Sequence, residues 1–248
     1  MAFPILQTAD TTNGTVTTNA STWTLTYPTN VAAGDLLLAF IAHDGGTYTG
    51  AQPIPNEIPG TVRPAFPSGW TVRAEGDTQL ITNGTVIVTL AMAYKISDGT
   101  ETGNFSITIN NSDTEQGGWR VFRITNWRGS SSGITQIFAG SSGTTSSTPN
   151  PPSLTPSWGA DDTLWVAAMA ADTSRTISVY PTSYGTTSAD VSGGNAGATL
   201  GVAFRSLNAA SEDPGTFTIS ASDDWSACTV AIQGPPPSIP WIVGIPIR

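Results

Sequence analysis

The second half of this 248-residue chain echoes the first, and that repeat constrains the fold more than any single motif. Thr89-Leu90-Ala91-Met92-Ala93-Tyr94-Lys95, a turn and Gly103-Asn104-Phe105-Ser106-Ile107-Thr108-Ile109 read against a second pair of strings. These are Thr199-Leu200-Gly201-Val202-Ala203-Phe204-Arg205, a turn and Gly215-Thr216-Phe217-Thr218-Ile219-Ser220-Ala221. Gly34 to Phe40 answers Asp161 to Ala167, Pro67-Ser68-Gly69-Trp70 answers Pro181-Thr182-Ser183-Tyr184, and Ile5 to Ala9 answers Gln136 to Gly140. Such a duplication describes a scaffold built twice and packed on itself. It names no reaction.

Helical periodicity is nearly missing, whereas short alternating or apolar runs closed by Gly, Asn, Asp or Pro recur throughout. Thr22 to Tyr27 alternates, and Asp35 to Ala42 is almost continuously apolar, as in a strand covered on both faces. The pattern predicts an all-β, jelly-roll-like β-sandwich made of two repeated halves, about 3–130 and 131–233. Only Gly129 to Gly133 separates the halves. So short a linker favours interleaving them into one sandwich with a continuous core and a pseudo-twofold axis over two sandwiches in tandem.

Two segments stand outside the repeat. Gly45 to Pro67 is a long Pro- and Gly-rich insertion of the kind that makes contacts. Residues 234–248 form a proline-rich tail that is expected to lie extended. It carries Ile239, Trp241, Ile242, Val243, Ile245 and Ile247. A disordered tail would be polar. An apolar one calls for a surface, and these six residues are the candidate docking element, with Trp241 as anchor.

Charged residues make up only 11% of the chain, Lys95 is its one lysine, and the net charge is -9. Nucleic acid and anionic membranes are therefore not expected partners, since phosphate binding needs clustered Lys and Arg. Cys228 is the sole cysteine, so no intrachain disulfide forms, and its place in an alternating run reads as core. No basic-then-apolar segment opens the sequence, and no apolar run reaches the roughly 18 residues of a membrane span. These features lead to the expectation of a protein made in a host cytoplasm and released by lysis.

Candidate chemistry is thin. His43, followed by Asp44, is the only histidine, which rules out a histidine-rich metal site. No serine sits in a Gly-x-Ser-x-Gly elbow, so His43 reads as structural. Asp161-Asp162 and Asp223-Asp224 are adjacent pairs, and neighbours on a strand point to opposite faces, so they do not converge as glycosidase acids would. Glu57, Glu75 and Glu115 fall near loop edges. Turns rich in Asp and Asn could offer oxygen ligands to Ca²⁺, but no Asp-x-Asp-x-Asp-Gly loop is present, and no cofactor is expected. Of eight tryptophans, Trp23, Trp70, Trp119, Trp165 and Trp225 read as core. Trp127, Trp158 and Trp241 read as exposed, and Trp127 with Trp158 forms a candidate ligand platform for stacking on a sugar.

The strings Ala33-Gly34-Asp35-Leu36-Leu37-Leu38-Ala39-Phe40, Pro67-Ser68-Gly69-Trp70-Thr71, Ala91-Met92-Ala93-Tyr94-Lys95 and Trp119-Arg120-Val121-Phe122-Arg123-Ile124, with Ile124 to Gly129 closing the last, carry a resemblance. The chain resembles duplicated β-sandwich proteins of tailed-phage virions and of some bacterial extracellular proteins, over most of residues 3–233. The resemblance implies a capsid decoration or cement protein, a fibre part or an adhesive module, and its motifs are structural and transfer no active site. The leading expectation is a capsid-decorating protein whose partners are its own subunits and a major capsid or other virion protein. A carbohydrate-binding adhesin is the alternative. A hydrolase is a third reading and would need two converging carboxylates.

Overall fold

The computed structural model describes residues 2–45, 64–73, 87–109, 115–140, 146–185, 191–192 and 197–237. The first half contributes β1 (Ile5–Leu6), β2 (Thr12–Ala20), β3 (Thr22–Thr26), β4 (Leu36–Gly45), β5 (Thr71–Arg73), β6 (Ile87–Ile96), β7 (Asn104–Thr108) and β8 (Glu115–Thr125). The second contributes β9 (Ile134–Gly140), β10 (Asp161–Ala171), β11 (Ile177–Val179), β12 (Val191–Ser192), β13 (Thr199–Ala209), β14 (Thr218–Ile219) and β15 (Trp225–Gln233). One antiparallel sheet runs β1-β8-β4-β6-β5, with β2 also on β8, and another runs β12-β13-β10-β15-β9. Two ribbons, β3-β7 and β11-β14, complete the all-β sandwich architecture that the strand patterns predict.

Side-chain alternation explains the layering. On β4, Leu36, Leu38, Phe40 and Ala42 point into a central core, while Ala39 and Ile41 point outward against Trp23, Leu25, Phe105 and Ile107 of the β3-β7 ribbon. On β10, Leu164, Val166, Ala168 and Ala170 enter the same central core. Trp165, Ala167 and Met169 pack outward with Phe217 and Ile219, next to the β11-β14 ribbon. The order of layers is therefore ribbon, sheet, sheet, ribbon. Both middle sheets are covered on both faces, which is why β10 and β15 are buried almost end to end and lack a polar alternation.

The expected continuous core is present, but the halves do not exchange strands to form it. Among the described strands, every pairing stays within one half. Each half is a small sandwich of its own, and the two share the core where their sheets meet face to face. Ser226 Oγ donates to Val88 O across that junction (3.2 Å), and Arg128 N–H donates to Gln233 O (3.0 Å).

The repeat survives in the strand order, since β8-β4-β6 is matched by β15-β10-β13. Its alignment differs by one residue from the string match on the first strand. Ile41 pairs with Ala91 and Trp119, and Met169 pairs with Gly201 and Ala227. Leu36 thus corresponds to Leu164, not to Thr163. Because side chains alternate with a period of two, the one-residue error would send the central-core residues to the outer face. Leu6 lies opposite Ile124 and Ile134 opposite Ile232, so Leu6 corresponds to Ile134 and not to Ile137. Elsewhere the strings align correctly. Gly103 and Gly215 open matching turns at φ 68° and 78°, and Gly69 at φ 89° is matched by Ser183 at φ 68°. The left-handed turn is thus kept even where its glycine is not.

Candidate functional site

Several charged side chains inside the body are paired with one another. Arg123 lies between two carboxylates, with Nε 2.6 Å from Asp35 and Nη1 2.7 Å from Asp10. Asp10 also accepts from Thr29 Oγ1 (2.7 Å) and Asn30 Nδ2 (3.0 Å). The Thr29 hydroxyl, ahead of Asn30 and Arg123 and against the opposing effect of burial, holds the Asp10 carboxyl below its ordinary pKa.

Lys95 Nζ meets Glu101 at 2.8 Å, and the repeat preserves the pair as Arg205 with Glu212 at 2.7 Å. Burial alone would raise the Glu101 pKa, but Lys95, the Ser97 hydroxyl and backbone N–H groups bring it down to about 2. A carboxylate with a depressed folded pKa contributes stability that is present above its unfolded pKa. That stability is lost as pH falls from about 4.5 towards 2, in an amount of up to about 3 kcal/mol. Denaturant titrations between pH 6 and pH 2 are expected to show this acid-side loss in the native protein. In Glu101→Gln the loss should be smaller, and equal slopes would refute the assignment.

The acidic doublets do not converge. Asp161 accepts from Gln233 Nε2 (2.8 Å), while Asp162 accepts from Asn208 Nδ2 (2.7 Å). Asp223 is held by Thr173 Oγ1 (2.7 Å) and Arg175 Nε (2.9 Å). Burial first, and then the charge of Asp223, raise the pKa of Asp224. Among the described residues, no group of three or more His, Cys, Asp or Glu side chains could hold a metal ion. Glu57 and Glu75 lie outside the described residues. His43 is fully buried on β4, edge-on to Trp23 with ring centroids 6.3 Å apart. Cys228 lies in the central core, where burial pushes its thiol pKa up.

The tryptophan platform is corrected. Trp127 is 6% exposed, sits in the central core and donates from Nε1 to Gly34 O at 2.9 Å. Trp158 is half-buried against the outer core of the second half, its Nε1 3.3 Å from Thr163 Oγ1. The two belong to different cores and form no common face. Trp70, expected in the core, is instead half-buried. It stacks on Phe105 (5.3 Å, 23°) and Tyr27 (6.4 Å, 18°) and meets Phe66 at 5.2 Å. Sequence reasoning missed this cluster because Tyr27 and Trp70 stand 43 residues apart and meet only in the folded chain.

A groove of about 370 Å³ opens where the two sandwiches meet. Phe3, Pro4, Ile5 and Leu6 form one wall, and Leu164, Phe204, Arg205 and Ser206 form the other. Leu164 and Phe204 are central-core residues, so the groove is an edge of that core left open. Ile5 is 50% exposed at its rim. The end of β15 abuts it: Gly234 N–H donates to Asp162 O (2.7 Å), and a Cβ on Gly234 would stand 2.7 Å from Ala2 O. Gly234 thus permits the close passage by which the tail leaves the body. The docking residues Ile239, Trp241, Ile242, Val243, Ile245 and Ile247, and positions 46–63 of the insertion, lie outside the described residues.

No family model, curated protein or solved structure matches this chain.

Proposed function

We propose that this protein is a structural component of a tailed-phage virion, a capsid-decorating or cement protein that stabilises the shell through contacts between subunits. The observation that carries this reading is the exit of an apolar, proline-rich segment at a defined point, Gly234, from a doubled sandwich that pairs several of its buried charges internally. Such a body presents a scaffold, and the segment supplies adhesive area. Six large apolar side chains at about 1.5 kcal/mol or more each leave several kcal/mol after ordering costs. Repeated over symmetric copies, that contact resists internal pressure. The reading involves no catalysis, no cofactor and no nucleic-acid partner.

Particles of the phage that encodes this chain, purified on a density gradient, are expected to contain it in fixed proportion to the major capsid protein. Its recovery only in the soluble fraction would overturn the reading.

The half-exposed Tyr27, Phe66 and Trp70 favour a second reading, a carbohydrate-binding adhesin, because aromatic faces stack on sugar rings. Glycan-array binding that disappears in Trp70→Ala would establish it in place of the first.

A further inference from the structure

The two ends of the shared core are built differently, although the repeat makes them counterparts. By strand register Leu36, Tyr94 and Ile134 correspond to Leu164, Phe204 and Leu6. At the first end, the chain leaves β8 and folds Trp127 into the core, its indole N–H on Gly34 O at 2.9 Å. At the second end, the chain leaves β15 past the corresponding carbonyl, Asp162 O, at 2.7 Å. The residue standing where Trp127 would be is Pro235, so among the described residues no indole follows β15 into the core, and Phe3 stands in one wall of the opening instead. That opening is the groove between Phe3–Leu6 and Leu164/Phe204.

We infer that the groove receives the C-terminal segment of a second copy of this chain, with Trp241 filling the place that Trp127 fills at the other end. Trp241 is the first aromatic residue after β15. The chemistry matches, since apolar walls meet a segment carrying Ile239, Trp241 and Ile242, and a buried aromatic anchor dominates contacts of this kind. Chain stiffness decides between a chain's own segment and a neighbour's. Six residues separate Gly234 from Trp241, and four of them are proline (Pro235, Pro236, Pro237 and Pro240). To plug its own groove, the segment would have to loop out and return to its starting point. Proline φ is locked near −65°, and the extended rise of about 3.1 Å per residue carries Trp241 roughly 20 Å onward. Groove and segment are different surfaces of one chain, so the contact is either exchanged reciprocally within a two-fold dimer or runs head to tail into a ring or array.

This inference deepens the virion reading and rests on it for its purpose, but its test uses the isolated full-length protein. Ile5→Cys, on the exposed rim, and Ile242→Cys, beside the intact anchor Trp241, are made in separate chains and mixed under mild oxidation, with the native Cys228 buried and out of reach. The expected result is a disulfide-linked dimer of one chain of each kind, lost when Trp241→Ala is added to the Ile242→Cys chain and both introduced thiols are kept. The Ile5→Cys/Ile242→Cys double variant should likewise link between chains. Intramolecular linkage in the double variant with none in the mixture would overturn the inference in favour of a chain closing its own groove. No linkage in either case would overturn the groove as the receiving site. Particles that contain the protein while the mixture fails to cross-link would sink this inference alone. Cross-linked copies absent from particles would sink the virion reading alone.

Discussion

Phe122→Ala is expected to destabilise the protein by about 3–5 kcal/mol, lowering Tm by roughly 10 °C. Phe122 is fully buried and stands edge-on to Phe40 of its own sheet (6.2 Å) and to Phe204 of the opposing sheet (4.8 Å). Truncation removes a ring that both sandwiches share and leaves a cavity between two sheets that cannot close without moving as bodies. Amide exchange should therefore quicken in β4 and β10 alike. Trp23→Ala, in the outer core of the first half, should quicken exchange in the first half only. If Phe122→Ala leaves β10 protection untouched, the two halves are not coupled through this core.

Arg123→Met should cost a similar amount, about 3–5 kcal/mol near neutral pH. The substitution keeps the apolar stem and removes the guanidinium. It strands Asp10 and Asp35, whose side chains are about one-tenth exposed. An unpaired buried carboxylate is costly while ionised and cheaper once protonated. The sign of the pH dependence follows. The pairing of Asp10, whose pKa is lowered in the folded protein, stabilises above the ordinary carboxylate range and is lost on acidification, so the deficit of the variant should be largest at neutral pH and shrink below about pH 4. Adding Asp10→Asn and Asp35→Asn to Arg123→Met should recover part of the loss at neutral pH. A deficit that stays constant from pH 7 to pH 3, or a triple variant no better than the single one, would show that Arg123 acts through packing alone.

Several features were open to reading from the sequence because they are local. Turn residues and β-branched alternation mark the strands of each half, and the Gly103/Gly215 and Gly69/Ser183 turns recur at the same points in the repeat. The ion pairs of Lys95 with Glu101 and of Arg205 with Glu212 lie within short spans, but nothing in the spacing tells that they are buried. Trp127 misled for a related reason: placed before Arg128 and Gly129, it looks like a loop residue, yet the loop folds back and buries the indole.

The sequence by itself determined that this chain forms short strands, that it forms them twice, and that an apolar proline-rich segment follows the second set. The tertiary structure alone decided which face of each strand meets the other half. Leu36-Leu37-Leu38-Ala39-Phe40 and Leu164-Trp165-Val166-Ala167 are apolar on both sides, because their sheets are covered on both sides, so the period-two signal that sets register is absent. Hydrogen-bond pairing with β6, β8, β13 and β15 supplies the missing register. It places two small sandwiches back to back rather than interleaved, closes one end of their shared core with Trp127 and leaves the other end open beside Gly234.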